Sequence, residues 1–358
     1  MKSKKEYFKN LDNLHYNFQE IDGYNLPFNF IVSPREPGKT TNFLLFKCYL
    51  SFIEKNETLI YLVRNATEIT SEFISSIESQ INKFLITPIE IKYRLSSLEK
   101  SIVDVFVNDK HFIRFISLNA PIVRIKKTII NNPSYIFMDE FIINPEFKES
   151  YLPGEFKRFK EVYTTYRRSK ENLKCYFCGN PYSLYNPYFV GFGINTKLLK
   201  PGARIVNKNV IVQCYELKPE LIEYILKVNP LYQFDDSYKN YALNGVAVND
   251  LNIPLCEKVQ GFSLQYIFKY DNNYLGVWRK NLFLDNDLFK YWVSDIKDFS
   301  KRREVLCFDF NEMIEGTSLY SRDDKLKFYK LVNAMNKRLV YFDSIPSYYM
   351  FVEIYKFL

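Results

Sequence analysis

Apolar residues in the N-terminal two thirds of this chain fall into short, nearly unbroken runs rather than strict alternation. Residues 28–32, 58–63, 134–138, 173–178 and 209–215 each read as a strand buried on both faces, the pattern of a parallel sheet covered by helices. The segment TNFLLFKCYLSFIEK after the first run reads as a helix. Residues 68–84 place Phe73, Ile74, Ile77, Ile81 and Phe84 at helical spacing. RFIS at 114–117 is a further strand, read here as an extra strand ahead of the one at 134–138. Strand and helix in alternation predict an α/β fold for residues 1–218. Residues 219–250 carry helical patches broken by Pro219, Pro230 and Gly245, which reads as a helical linker subdomain. From Gly261 the pattern turns to β: FSLQYIFKY, a DNN turn at 271–273 and YLGVW form a hairpin. A strand at 304–308, a helix at 323–337 and a strand at 339–342 complete a smaller α/β domain over 251–358.

The boundary between the first strand and its helix carries chemistry. SPREPGKTT, from Ser33 to Thr41, stands where a phosphate-binding Walker A loop belongs. Backbone N–H groups and the helix start cradle the phosphates of a nucleotide, a lysine adds charge, and a hydroxyl ligates Mg2+. Gly38, Lys39, Thr40 and Thr41 supply those parts. Ser33 replaces the usual first glycine, and Pro34 and Pro37 each remove an N–H from the cradle.

The run SYIFM ends in Asp139 and Glu140, acids delivered at the C-terminal edge of a buried strand. Asp139 is read as the Mg2+ ligand with Thr40, and Glu140 as the base that orients and deprotonates an attacking water. Asn180, at the tip of the strand at 173–178, is the candidate sensor of the γ-phosphate. Tyr16, Asn17 and Phe18 are candidates to fold over the adenine.

Together these residues resemble the DNA-packaging ATPases of tailed bacteriophages, most closely the compact encapsidation proteins of phi29-like podoviruses. The likeness covers about the first 220 residues and rests on SPREPGKTT, LIYLVRN, YIFMDEF, the pair Arg167 and Arg168, and CGNPYSLYNPYF. It implies a P-loop NTPase core of the additional-strand, catalytic-glutamate type, hydrolysing ATP with Mg2+. It gives Arg35, inside the loop, a role in sensing or positioning nucleotide, and Arg167 the role of a trans-acting finger, with Arg168 and Lys126 of VRIKK as further basic candidates. It implies a double-stranded DNA translocase acting as a homo-oligomeric, pentameric ring at the procapsid portal, in the host cytoplasm, with a packaging RNA as a further candidate partner. In larger members the second domain is an RNase H-like nuclease, which needs carboxylates converging on two metals. The strand 262–270 contains no acid, while Asp271, Asp295, Asp309 and Asp343 lie in turns or at edges, so the domain reads as a degenerate nuclease fold turned to binding. A terminase with both ATPase and endonuclease activity is the alternative, and a non-enzymatic nucleic-acid-binding protein with a vestigial loop the third reading.

Composition modifies this picture little. Lys plus Arg number 49 against 41 Asp plus Glu, a net charge of +8 that suits contact with a polyanion. Aromatic residues make up 18%, in company with abundant Lys, Asn and Ile, so the tyrosines are not read as base-stacking platforms. Cys175 and Cys178 form a CxxC, but residues three apart on a strand face opposite sides, which argues against zinc. Cys48, Cys214, Cys256 and Cys307 read as single core residues, and His15 and His111 as solitary. MKSKKEYFKN is basic without a following apolar region, and no apolar run has spanning length, so a soluble protein without membrane contact is expected.

Overall fold

The computed structural model describes the chain apart from residues 1–5, 10, 95–100, 129, 131, 145–149, 185, 234–238, 240–242, 244–252, 259, 271–272, 282–288, 298–303 and 322–323. It folds as two units, Met1–Val248 and Asn249–Leu358. The described strands of the first are β1 (Phe28–Val32), β2 (Thr58–Val63), β3 (Lys92–Tyr93), β4 (Ile102–Val107), β5 (Lys110–Ser117), β6 (Pro133–Met138), β7 (Lys174–Gly179), β8 (Arg204–Asn207) and β9 (Val210–Cys214). They form one sheet in the order β3-β4-β5-β2-β6-β7-β1-β9-β8. Strands β5, β2, β6, β7, β1 and β9 pair in parallel, and β3, β4 and β8 add antiparallel edges.

The unbroken apolar runs are explained by burial on both faces. Alternate residues divide between two cores, with Phe30, Ile60, Ile136 and Phe177 in one. Ile31, Tyr61, Phe137 and Tyr176 lie in the other. A helical run through Lys39–Phe43, the π-helical Leu44–Tyr49 and Leu50–Lys55 covers the second core together with Ser71–Asn82, which Thr70 caps by accepting from Phe73 N at 3.1 Å. Glu155–Arg167, Pro187–Gly191 and Pro219–Val228 cover the first. Stacked ring pairs fix sheet to helix and strand to strand: Phe43 on Phe137 at 4.0 Å, and Phe30 on Phe177 at 4.4 Å. Cys175 and Cys178 fall in different cores, as their spacing on a strand requires.

Two expectations are corrected. The strand inserted between the P-loop strand β1 and the acid-bearing β6 is β7, which follows β6 in sequence. The RFIS strand, β5, lies beyond β2 and is not the inserted one. Residues 219–250 contribute Leu221, Ile225, Tyr232 and Leu243 to the first unit's core. Cys256 is exposed rather than a core residue.

The second unit holds β10 (Ser263–Tyr270), β11 (Asn273–Asn281), β12 (Phe289–Asp295), β13 (Val305–Cys307), β14 (Thr317–Leu319) and β15 (Val340–Phe342) in the order β14-β13-β10-β11-β12-β15. Strands β10 to β12 form an antiparallel meander, with Tyr270 paired to Asn273 across the predicted hairpin turn. β13 adds in parallel to β10, β14 to β13, and β15 to β12. The meander is thus extended by two parallel strands beside its first strand and by one beside its third. Here β13 and β14 are joined through a 3-10 turn, Phe310–Glu312, instead of a covering helix. Helices Lys325–Asn336 and Ile345–Tyr355 bury Phe328, Leu331, Phe351 and Ile354 against the sheet.

Candidate active site

The C-terminal ends of β1, β2, β6 and β7 open onto a cleft of about 1100 Å³ lined by residues 38–41, Arg64, Asp139, Glu140 and Asn180. Gly38 begins the helical run in the left-handed region, at φ 73°, and a Cβ there would lie 3.1 Å from Cδ2 of His15. Only glycine satisfies both constraints. The helix start that follows leaves unpaired N–H groups at the mouth of the cleft.

Lys39 is buried, at 7% exposure, and its Nζ donates to Ser33 Oγ at 2.6 Å, to Pro34 O at 3.3 Å and to Asn180 Oδ1 at 3.2 Å. Ser33 therefore does more than tolerate the missing glycine: its hydroxyl accepts from the lysine while its own N–H bonds Gly179 O at 3.1 Å. The prolines serve as acceptors. Pro34 turns its carbonyl to Lys39, and Pro37 takes Tyr16 N–H at 2.8 Å. Burial pulls the Lys39 ammonium below its ordinary value, and neighbouring acids including Asp139 and Glu140 oppose that shift. The contact between Lys39 and Asn180 joins the tip of β7 to the phosphate loop.

Thr40 Oγ1 donates to Asp139 Oδ2, so the two expected metal ligands touch. Burial raises the Asp139 carboxyl above its usual range, with the Thr40 bond and Lys39 acting the other way. A hydroxyl and a carboxylate are the hard oxygen donors Mg2+ takes. Among the described residues no group of three or more His, Cys, Asp or Glu could hold a metal. A sparse protein donor set fits an ion whose remaining ligands are phosphates and water.

Glu140 is exposed at the lip of the cleft, in the left-handed region at φ 52°. A non-glycine residue there stores about 1–3 kcal/mol that its surroundings must offset. Its N–H donates to Asp139 Oδ1 at 3.1 Å, and the next residue is clamped: Phe141 N donates to Cys178 O at 3.2 Å, and Phe141 O accepts from Arg64 Nη2 at 3.1 Å. Gly179 must lack a side chain because a Cβ would sit 2.9 Å from the Phe141 ring.

The sequence pattern marks Arg64 only as the end of a strand, yet it organises this corner. Its Nε reaches Glu155 Oε1 and Oε2 at 3.1 and 2.9 Å, and Tyr188 OH donates to Glu155 Oε1 at 2.9 Å. Burial disfavours the Arg64 cation, but Glu155 more than compensates and its pKa is raised. Glu155 is 1% exposed. Glu155→Ala is expected to strand a buried guanidinium and cost about 3–5 kcal/mol, read as a lower denaturant midpoint, with Tyr188→Phe costing about 1 kcal/mol. Equal stabilities of wild type and Glu155→Ala would show that the pair is not structural.

Other predicted residues are distributed as follows. Arg35 donates through Nη2 to Tyr182 OH, on the turn after β7, and Tyr182 N–H bonds Asn180 O at 2.8 Å. Thr41 lines the cleft. Tyr16 and Phe18 are core residues, Tyr16 donating to Gln213 Oε1 at 2.8 Å, and Asn17 is exposed with its Oδ1 accepting from Gln19 N. None of the three lines the cleft, which corrects their assignment to adenine. Lys126 pairs with Glu161 at 2.8 Å on the exposed side of helix Ile122–Lys127. Arg167 and Arg168 are exposed at the C-terminal end of Glu155–Arg167. That helix starts beside the cleft and runs back about 20 Å to the N-terminal edge of the sheet, where Lys170 pairs with Glu57 just before β2 at 2.7 Å. Arg167, expected as a trans-acting finger, therefore does not reach the cleft of its own chain.

Among the described residues no helix is long and apolar enough to cross a membrane. The "DNA packaging protein" of Bacillus phage B103 is 24% identical over 212 residues, which cover 58% of this chain and 63% of that protein's length. The solved Phi-28 gp11 DNA packaging motor superimposes with a TM-score of 0.64 at 17% identity, over 96% of this chain and 98% of that one. The bacteriophage Phi-29 viral genome packaging motor assembly gives 0.60 at 20% identity, over 95% and 99%. Residues 11–356 match the family described as Podovirus DNA encapsidation protein (Gp16), and the chain belongs to that family.

Proposed function

We propose that the protein hydrolyses ATP to drive double-stranded DNA through the portal of a procapsid, working with Mg2+ as a pentameric ring. The observation that carries this reading is the convergence in one cleft of Lys39, the touching pair Thr40 and Asp139, Glu140, and Asn180 bonded to the lysine. In this reading Lys39 and the loop N–H groups hold the β and γ phosphates, and Thr40 and Asp139 hold the ion that neutralises them. Glu140 takes the proton of the attacking water. Asn180 registers loss of the γ-phosphate through Lys39, and Arg35 relays the state of the loop to the turn at Tyr182. The deciding experiment is phosphate release with and without linear double-stranded DNA and empty procapsids. Stimulation by both supports the motor, and a rate indifferent to either sinks it.

DNA contact in a motor that traverses a whole genome is electrostatic. Affinity for duplexes of unrelated sequence is expected to fall together with salt, at a log-log slope of about −0.9 per phosphate neutralised. A preference for one short sequence that persists at high salt would instead indicate a site-specific binder.

The terminase alternative requires a cluster of carboxylates in the second unit. Asp309 is engaged as a cap, accepting from Asn311 N at 2.9 Å, and Asp271 lies outside the described residues. β10 carries the buried Lys269 and no acid. Plasmid incubated with Mg2+ or Mn2+ is expected to stay intact. Cleavage abolished by Asp271→Ala or Asp309→Ala would restore the alternative. A vestigial loop is disfavoured by Glu140, whose strained backbone at the cleft has no use in a protein that does not hydrolyse.

A further inference from the structure

The phosphate loop holds one residue in a conformation that its type disfavours. Glu36 sits at φ 69°, in the left-handed region that glycine enters freely and other residues enter at a cost. A backbone of this kind persists where the surrounding structure offsets it, and Glu36 has such a contact. Its Oε1 accepts from the hydroxyl of Tyr232 at 2.9 Å, from a residue 196 positions further along the chain. Tyr232 lies on the 3-10 turn Pro230–Gln233, just beyond helix Pro219–Val228, and is 2% exposed in the core that this helix covers. Glu36 itself is exposed. A ring fixed in the core therefore presents its hydroxyl to an exposed residue of the loop.

This loop depends on the shape of Glu36 more than most would. Pro34 and Pro37 have no N–H, so between Ser33 and Lys39 only Arg35, Glu36 and Gly38 can offer one to a phosphate. Glu36 and Gly38 are both left-handed, at φ 69° and 73°, a conformation that helps gather backbone N–H groups into an anion-binding concavity. Gly38 adopts it without strain, whereas Glu36 does not. The neighbouring Arg35 is held separately, by Tyr182 on the turn after β7. Two successive loop residues are thus tied to two different parts of the first unit.

We propose that Tyr232 is a positioning residue for the reaction. By holding the Glu36 carboxylate it keeps the phosphate loop in the shape that receives the phosphates, and the helical segment that carries Tyr232 is a working part of the site rather than a spacer. The proposal rests on the nucleotide reading above, and its test separates the two. Steady-state release of phosphate from Mg2+-ATP, with linear double-stranded DNA present, is measured on the full chain for wild type, Tyr232→Phe, Glu36→Ala, Glu36→Gly and the double variant of Glu36→Gly with Tyr232→Phe. Tyr232→Phe and Glu36→Ala are each expected to lower kcat/KM about tenfold, the scale of one hydrogen bond to a charged acceptor. Glu36→Gly loses the same bond but relieves the backbone, so its expected loss is only about threefold. Adding Tyr232→Phe to Glu36→Gly costs nothing further, which leaves the double variant about threefold more active than Tyr232→Phe alone. A tyrosine that served packing alone would give no such rescue, because its loss would weigh equally with either residue at position 36. Tyr232→Phe at the wild-type rate, Glu36→Gly no better than Glu36→Ala, or a double variant no better than Tyr232→Phe overturns the proposal. A wild type that does not hydrolyse ATP overturns the nucleotide reading on which the proposal stands.

Discussion

Glu140→Gln is expected to bind Mg2+-ATP within about twofold of wild type while turnover falls by about 10²–10⁴, the usual contribution of a positioned general base. The separation follows from the geometry. The phosphate end of the cleft is built by Lys39 with Ser33, Pro34 and Asn180, and the metal end by Thr40 with Asp139. Glutamine keeps the volume and the left-handed backbone of Glu140 and removes only the proton acceptor. Lys39→Ala is the contrasting case. It deletes the cation at the centre of the phosphate end and leaves Ser33, Pro34 and Asn180 facing one another without it, so nucleotide binding itself is lost. Calorimetry with a non-hydrolysable ATP analogue, paired with steady-state phosphate release, reads both quantities. An equal loss of affinity in the two variants would assign Glu140 to binding rather than to water activation.

The parts of this site that were legible in the sequence are those that lie within a few residues of one strand end. Strand, glycine-lysine-threonine and helix follow one another directly, and β6 delivers Asp139 and Glu140 as neighbours, so order alone identifies them. β2 and β9 were equally plain because every residue of each is buried. The network of Arg64, Glu155 and Tyr188 was not, because its members lie 91 and 33 residues apart and meet only when β2 and two helices are packed. Edge strands were missed for the opposite reason to the core ones. β4 alternates half-buried and buried positions over six residues, and β8 is mostly exposed, so neither shows an unbroken run. Ile345–Tyr355 did carry a start signal, Ser344 accepting from Ser347 N with a proline in the first turn, yet no element is read beyond the strand at 339–342. Composition also misled the adenine assignment. In a chain so rich in Tyr and Phe, an aromatic beside the P-loop is core by default, as Tyr16 and Phe18 are.

Arg167 presents the other large effect. Exposed at the far end of its helix, it has no path to the cleft of its own chain, and a role in hydrolysis is open to it only across a subunit boundary. A trans arginine stabilises charge on the transferred phosphoryl group and is worth about 10³–10⁵ in rate where one operates. Rings of Arg167→Ala are therefore expected to bind ATP normally and to lose DNA-stimulated hydrolysis by at least about 10³. Mixing Arg167→Ala subunits with Lys39→Ala subunits gives the sharper test. Each variant is inactive alone, one lacking the finger and the other the phosphate loop, but some mixed interfaces join an intact loop on one subunit to an intact arginine on the next. Partial ATPase activity should return in proportion to the frequency of such interfaces, peaking near equal amounts. A mixture as inactive as its components would leave Arg167 a purely structural role. If Arg167→Ala alone leaves the stimulated rate near wild type, the finger passes to Arg168 or to Lys126, whose pairing with Glu161 on the same exposed face would have to open first.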